Sequence, residues 1–257
     1  MKAFIILLLI VFTFQGIAAQ EKGKKKYIFK KEELKVPVPD SVPDMTFKTK
    51  LLPSLIIPAI LIGYGLTTIK NNGIYSSYQA QKDIQAKFGS NKAPIDDYLI
   101  YGPYVEFAAL ILLKQKCKND MVNTLLLIAK SEAIMWAMVY PLKYFTHVER
   151  PDGSDSYSFP SGHTSEAFVA ATIVYREYRY KSVWYGIGAY ALATTVGTYR
   201  MINNKHWESD VFVGAGIGML SANLVYATHL HKWGRKEICV VPVFDGKNEG
   251  FAMTFKF

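Results

Sequence analysis

The stretch Ser158-Phe159-Pro160-Ser161-Gly162-His163-Thr164-Ser165-Glu166-Ala167-Phe168-Val169-Ala170-Ala171-Thr172-Ile173-Val174-Tyr175 passes from a sharp turn into an apolar run. Pro160 and Gly162 permit a tight backbone, and the apolar residues after Thr164 repeat with helical rather than alternating spacing. The start of a helix presents N–H groups that have no intrahelical partner, which suits an anion. Ser161 adds a hydroxyl, and His163 stands beside that anion where it can supply a proton. The same residues also make an ordinary proline–glycine turn capped by Ser161, so this stretch alone fixes a helix and leaves its use open.

Working outward, the opening run continues to about residue 180 (segment 164–180), and apolar segments with the same spacing recur at about residues 99–113, 121–142, 183–199 and 209–231, after a run without charges from Leu51 to Ile69. They predict an all-α fold, a bundle of about five to six core helices within residues 51–232, which form the main domain. Gly214, Gly216 and Gly218, like Gly186 and Gly188, lie inside these runs and follow no strand. They read as places where helices pack closely rather than as a phosphate loop. Residues 233–257 change character: Ile238–Val243 and Gly250–Phe257 alternate, giving a short β-like tail of two strands around Asp245-Gly246. Two strands cannot close a membrane barrel.

Ahead of the bundle, residues 1–19 read as an export signal, with Lys2, an apolar core from Ala3 to Phe14, and small residues before Gln20. An uncleaved anchor is the alternative. Residues 20–50 are a Lys-rich lead-in punctuated by Pro37, Pro39 and Pro43. The chain of 257 residues is 50% apolar with a formal charge of +9, which favours anionic partners. Zinc-finger spacing, basic heptads and aromatic RNA-binding strands are all missing, so no nucleic-acid partner is expected. Cys117 and Cys239 make no framework, and their pairing stays unassigned.

The apolar segments differ in whether they could cross a membrane. Residues 51–69, 183–199 and 211–227 are long enough to span or nearly so. Thr164 to Tyr175 is too short before the charged Arg176-Glu177-Tyr178-Arg179, and Lys130 and Glu132 interrupt 121–142. Three spans before Lys143 would put that residue on the cytosolic side of an exported chain. An external site therefore requires a non-spanning segment, and 99–113, with Glu106 in its middle, is the candidate.

Two further stretches carry chemistry. In Arg200-Met201-Ile202-Asn203-Asn204-Lys205-His206-Trp207-Glu208-Ser209-Asp210, a helix from residue 206 would put His206 and Asp210 on one face. Asp210 would then fix the imidazole tautomer and leave the other nitrogen to attack. Glu208 would be a solvated first-turn acid. Lys143 and Arg150-Pro151 close an apolar segment, where cations commonly snorkel to an interface but also clamp phosphate oxygens. His147 between them reads as an ordinary surface residue.

Together, Lys143 with six residues before Arg150-Pro151, then Pro160-Ser161-Gly162-His163, then Arg200 with five residues to His206 and three more to Asp210, resemble the three motifs of the type 2 phosphatidic acid phosphatase superfamily. That superfamily also holds nonspecific acid phosphatases and vanadium haloperoxidases. The resemblance covers about residues 95–230 and departs at Tyr199, where the family usually has Ser. It implies that His206 attacks phosphorus, Asp210 orients it, and His163 protonates the leaving oxygen. Lys143, Arg150, Arg200, Ser161 and the Gly162 N–H would bind phosphate. Such a site needs no metal or other cofactor, although vanadate could occupy it. The expected function is a metal-independent phosphatase acting on phosphomonoester or pyrophosphate groups of lipids, at the outer face of an inner membrane. Phosphatidic acid, phosphatidylglycerol phosphate, polyprenyl pyrophosphate and lipid A phosphates are candidate substrates. A soluble periplasmic acid phosphatase and a vanadate-dependent haloperoxidase are the alternatives.

Overall fold

A computed structural model describes residues 48–73, 75–89, 94–229, 238–244 and 249–255. The export signal, the lead-in before residue 48 and the Asp245-Gly246 turn lie outside the described residues. The chain divides after Leu52, and the unit from Pro53 onward holds the bundle.

Among the described residues there are eight helices: α1 (Lys48–Thr67), α2 (Ser77–Phe88), α3 (Ile95–Leu99), α4 (Gly102–Leu112), α5 (Met121–Thr146), α6 (Gly162–Tyr178), α7 (Val183–Ile202) and α8 (Glu208–Thr228). Two strands, β1 (Ile238–Phe244) and β2 (Glu249–Phe255), pair antiparallel with Val241 opposite Ala252.

The opening stretch is the centre of the bundle. α6 packs against α4, α5, α7 and α8. Six consecutive side chains, Val169 to Val174, are buried, and a helix apolar on every side belongs inside a core. Close approach explains the glycines of α8. A Cβ on Gly218 would lie 2.2 Å from the Ser165 carbonyl oxygen, and one on Gly214 would lie 2.6 Å from that of Ser161. α8 thus lies against the first turn of α6, backbone to backbone, which places residues 206–210 beside residues 161–163.

α6 runs seventeen residues to Tyr178, about 25 Å, in line with the expected segment 164–180, and its terminal charges find partners inside the fold. Buried Glu177 accepts from the Asn119 backbone N–H (2.9 Å), the Asn119 side chain (2.6 Å) and the Tyr226 hydroxyl (2.7 Å). Arg176 donates to Asn223 at 3.0 Å. Glu208 is also buried, accepting from the Tyr64 hydroxyl at 3.2 Å, so it is no solvated acid. Finally, α8 begins at Glu208 rather than at His206, with Trp207 as its N-cap.

Lys130 and Glu132 turn to other helices: Lys130 Nζ lies 3.4 Å from His229 Nδ1, and Glu132 accepts from the Tyr104 hydroxyl. α4 has eleven residues, about 17 Å, with Glu106 buried. That length is roughly half of a hydrocarbon core of about 30 Å. α5 and α8 are long and apolar enough to cross a membrane by length and composition. Cys117 is a free thiol, 3.2 Å from the Tyr178 hydroxyl.

Candidate active site

The C-terminal ends of α5 and α7 meet the N-terminal ends of α6 and α8, and every predicted site residue lies at this junction or in the loops that close it. The loops are stitched to one another. Trp207 Nε1–H donates to the Glu149 carbonyl (2.8 Å), Lys205 Nζ to Asp152 (2.6 Å), and the Ser158 N–H to the Val148 carbonyl (2.9 Å). The Ser161 N–H donates to the Asp210 carbonyl at 3.0 Å, tying the α6 turn to the first turn of α8.

His206 sits just before the α8 cap, with only 2% of its side chain exposed. Arg150 Nη1 lies 3.2 Å from His206 Nε2, and a guanidinium can only donate. Nε2 therefore carries the lone pair and Nδ1 the proton. Nδ1 faces Asp210 Oδ2 at 3.4 Å and Ser158 Oγ at 3.4 Å. Asp210 is held in turn: its Oδ2 accepts from the Ser158 hydroxyl and from the Trp207 backbone N–H (3.0 Å). So the expected pairing is present, but a capping turn makes it rather than a shared helix face. Burial pushes the His206 imidazole well below its ordinary pKa, and Arg200, Lys143, Arg150 and His163 push the same way. The ring is held neutral, which is the form a nucleophile needs.

Around Nε2 stand the cations. Arg150 donates Nε–H to Asp155 at 2.8 Å and Nη1 also to the Lys205 carbonyl at 3.1 Å. Lys143 Nζ donates to the Tyr157 carbonyl (2.6 Å) and lies 3.4 Å from that of Ser158. Arg200, at the end of α7, is clamped from behind: Nη1 donates to Asp96 at 2.6 Å, and Asn203 Nδ2 donates to the other oxygen of Asp96 at 2.6 Å. Arg200 Nε is buried without a hydrogen-bond partner. An unpartnered buried guanidinium N–H is costly, and an anion's oxygen would satisfy it.

Ser161 caps α6: its hydroxyl oxygen accepts from the Thr164 hydroxyl at 2.9 Å and lies 3.4 Å from the Thr164 N–H. Its own O–H proton remains to be donated. Gly162 and His163 follow as the first helical residues, where backbone N–H groups have no intrahelical acceptor. His163 is more open, with 36% of its side chain exposed, and its Nε2 lies 3.1 Å from Asp97 Oδ1. Burial and Arg200 lower its pKa, while Asp97 and Asp96 oppose them.

All eight predicted residues, Lys143, Arg150, Ser161, Gly162, His163, Arg200, His206 and Asp210, are thus brought together. Tyr199 lies in the last turn of α7, where its carbonyl accepts the Asn203 N–H at 2.8 Å. His147 is the left-handed C-cap of α5, exposed, with its ring centre 5.9 Å from that of Tyr157. It lines a cavity of about 710 Å³ beside the site, together with Lys70, Tyr78, Arg150, Trp207 and Asp210. Sequence reasoning missed Asp96, Asp97, Ser158 and Asp155. The first two lie about a hundred positions from Arg200, and no local spacing announces such a contact. Ser158 and Asp155 were within reach, because they flank Pro160 in a loop that already carried polar groups.

Residues 125–233 match the sequence profile of the PAP2 superfamily. A stretch of 94 residues, 37% of this chain, is 45% identical to a lipid A 1-phosphatase of Porphyromonas gingivalis, and it spans only 21% of that relative's length. The crystal structure of Aquifex aeolicus LpxE aligns with 56% of this chain and 93% of its own, at 21% identity and a TM-score of 0.43. The three motifs, from Lys143 to Asp210, all fall within the segment that matches the PAP2 superfamily profile.

Proposed function

We propose that the protein is a membrane-bound phosphatase that removes a phosphate group from a lipid through a phosphohistidine on His206. One observation carries the reading: the lone pair of a buried, neutral imidazole points at a junction where two guanidiniums, the Lys143 amine (its pKa lowered by burial to about 8) and a helix N-terminus converge. In this reading His206 Nε2 attacks phosphorus and the P–O bond to the leaving group breaks. Asp210 holds the Nδ1 proton throughout. His163 gives a proton to the departing oxygen, then takes one from the water that attacks phosphorus and breaks the P–N bond. Arg200 Nε, Arg150, Lys143, the Ser161 hydroxyl and the Gly162 N–H bind the equatorial oxygens, where preorganised donors stabilise transferred charge. The chain's own cations neutralise that charge, so no metal takes part.

The lipid reading rests on the surface and on the curated relative. Ile56, Ile57 and Ile60 of α1, Val105 and Leu112 of α4, Tyr140 and Tyr144 of α5 and Trp184 and Ile187 of α7 are exposed, large apolar side chains on four helices that a bilayer would cover. The 45% identity to a lipid A 1-phosphatase favours a glycolipid phosphate among the candidates. A cavity of about 710 Å³ beside Arg150 leaves room for more than a bare phosphate. In this reading α1 and α5 cross the membrane and α4, at eleven residues, does not, which puts the site on the outer side.

The test is phosphate release by the detergent-purified chain from a panel of lipid A, phosphatidic acid, phosphatidylglycerol phosphate, polyprenyl pyrophosphate and a water-soluble ester, beside His206→Ala. The reading predicts lipid phosphates as the preferred substrates and no release by the variant. Preference for the soluble ester would overturn the lipid assignment, and equal release by His206→Ala would overturn the mechanism.

A further inference from the structure

We propose that Asp97 is a positioning residue for the leaving-group acid, holding His163 by Nε2 so that Nδ1 faces the departing oxygen, while its neighbour Asp96 holds Arg200 behind the phosphate. This inference rests on the phosphatase reading above.

Asp97 Oδ1 lies 3.1 Å from His163 Nε2 and 3.4 Å from Arg200 Nη1, so one carboxylate oxygen bridges the acid and a phosphate-binding cation. Asp96 Oδ2 takes the same Nη1 at 2.6 Å, while Arg200 Nε stays buried without a partner. Consecutive residues of a five-residue helix thus address two different members of the site. Their exposure differs sharply. Asp96 has 2% of its side chain exposed and Asp97 56%.

An ion pair with an exposed partner contributes little to stability, so Asp97 is not required to hold the fold together. Orientation is what it can supply. An imidazole whose Nε2–H is given to a carboxylate has one ring orientation and one nitrogen left for chemistry. That leaves Nδ1 as the nitrogen that delivers the proton. The charge of Asp97 acts in the same sense. The groups facing the ring are Arg200 of α7, Asp96 and Asp97 of α3, His206 across the site and Lys143 of α5 beyond Gly162. The cations disfavour the imidazolium and the two carboxylates favour it. A substrate phosphate adds negative charge and completes the protonation an acid catalyst needs.

The experiment compares kcat/KM for two soluble monoesters with detergent-purified full-length wild type, Asp97→Asn and Asp97→Glu. An alkyl phosphate expels an alkoxide, which leaves only with a proton, whereas 4-nitrophenyl phosphate expels a phenolate that leaves without one. Asp97→Asn is expected to lower kcat/KM about tenfold for the alkyl ester and less than about twofold for the aryl ester, a fraction of what general acid catalysis contributes. Asp97→Glu should restore most of the difference, and the basic limb of the alkyl pH profile should move to lower pH in Asp97→Asn. Equal losses on both esters, or none on either, would overturn the assignment; the latter would leave Asp97 a first-turn acid complementing the helix dipole. Failure of the phosphatase reading shows separately, as wild type that releases phosphate from neither these esters nor any of the lipid phosphates, and the assignment would fall with it.

Discussion

The site contains two histidine–carboxylate pairs built in opposite ways. His206 and Asp210 lie four residues apart and are essentially sealed, with side chains 2% and 0% exposed. His163 and Asp97 lie 66 residues apart and are open, at 36% and 56%. In the first pair the carboxylate takes Nδ1 and frees Nε2; in the second it takes Nε2 and frees Nδ1. The difference follows the work proposed for each. A nucleophile must stay neutral, fixed and dry, and a local turn built into the α8 cap achieves that with few moving parts. An acid that becomes a base must exchange protons with a leaving group and then with water, so it needs an accessible partner.

Breaking the sealed pair has the largest expected effect. His206→Ala should abolish turnover, a loss on the order of ten-thousand-fold or more, as expected when a covalent nucleophile is removed. Asp210→Asn should fall by about a thousand- to ten-thousand-fold with KM little changed, because the amide can stabilise the wrong tautomer. Steady-state phosphate release measures both. If Asp210→Asn lost less than Asp97→Asn, the sealed pair would not be the nucleophilic one.

Next in size is the clamp between them. Arg200→Ala should cost about a hundredfold or more in kcat/KM, as loss of a preorganised charge donor does. Asp96→Asn should cost less and raise KM for vanadate-sensitive phosphate binding, since Arg200 loses its anchor but keeps its charge. Inhibition by vanadate, measured against both variants, separates the two contributions.

How much of this was legible depended on range. Lys143, Arg150, Ser161, His163, Arg200, His206 and Asp210 were readable as candidates because three stretches together resemble one family's motifs, although each alone left its use open. The helices were readable because apolar spacing is local. Arg176 and Glu177 were legible as limits on an apolar span but not as buried groups, since only the folded chain brings Asn223, Asn119 and Tyr226 to them. His206 and Asp210 were paired for the wrong reason, a helix face, because spacing cannot tell a cap from a turn of helix. Asp96 and Asp97 were invisible as partners, for only the folded chain brings α3 to the end of α7.

Packing sets a smaller effect that links the bundle to both pairs. Gly214→Ala should destabilise the fold by about 1–3 kcal/mol, because its Cβ would meet the Ser161 carbonyl oxygen at 2.6 Å. It should also lower kcat by displacing the turn that carries Ser161 and His163. Thermal unfolding beside kinetics checks this, and an unchanged kcat would show that the turn tolerates the shift.

The smallest expected effect is on stability against pH. Both histidines have folded pKa values below their ordinary value of about 6.5. Their contribution is therefore present above that pH and is lost as pH falls, because the unfolded chain binds protons the folded chain refuses. Denaturant midpoints from pH 8 to pH 5 should decline more for wild type than for His206→Ala. An equal decline would show that the buried ring is not the proton-linked group.

The central claim, that His206 is the nucleophile, is tested most directly by rapid acid-free quenching during turnover of a phosphate ester, followed by peptide mass spectrometry. The account predicts an acid-labile, base-stable phosphate on His206, absent from His206→Ala and accumulating in His163→Ala when 4-nitrophenyl phosphate is the substrate. Phosphate on another residue, or a phosphoenzyme that persists in His206→Ala, would contradict it.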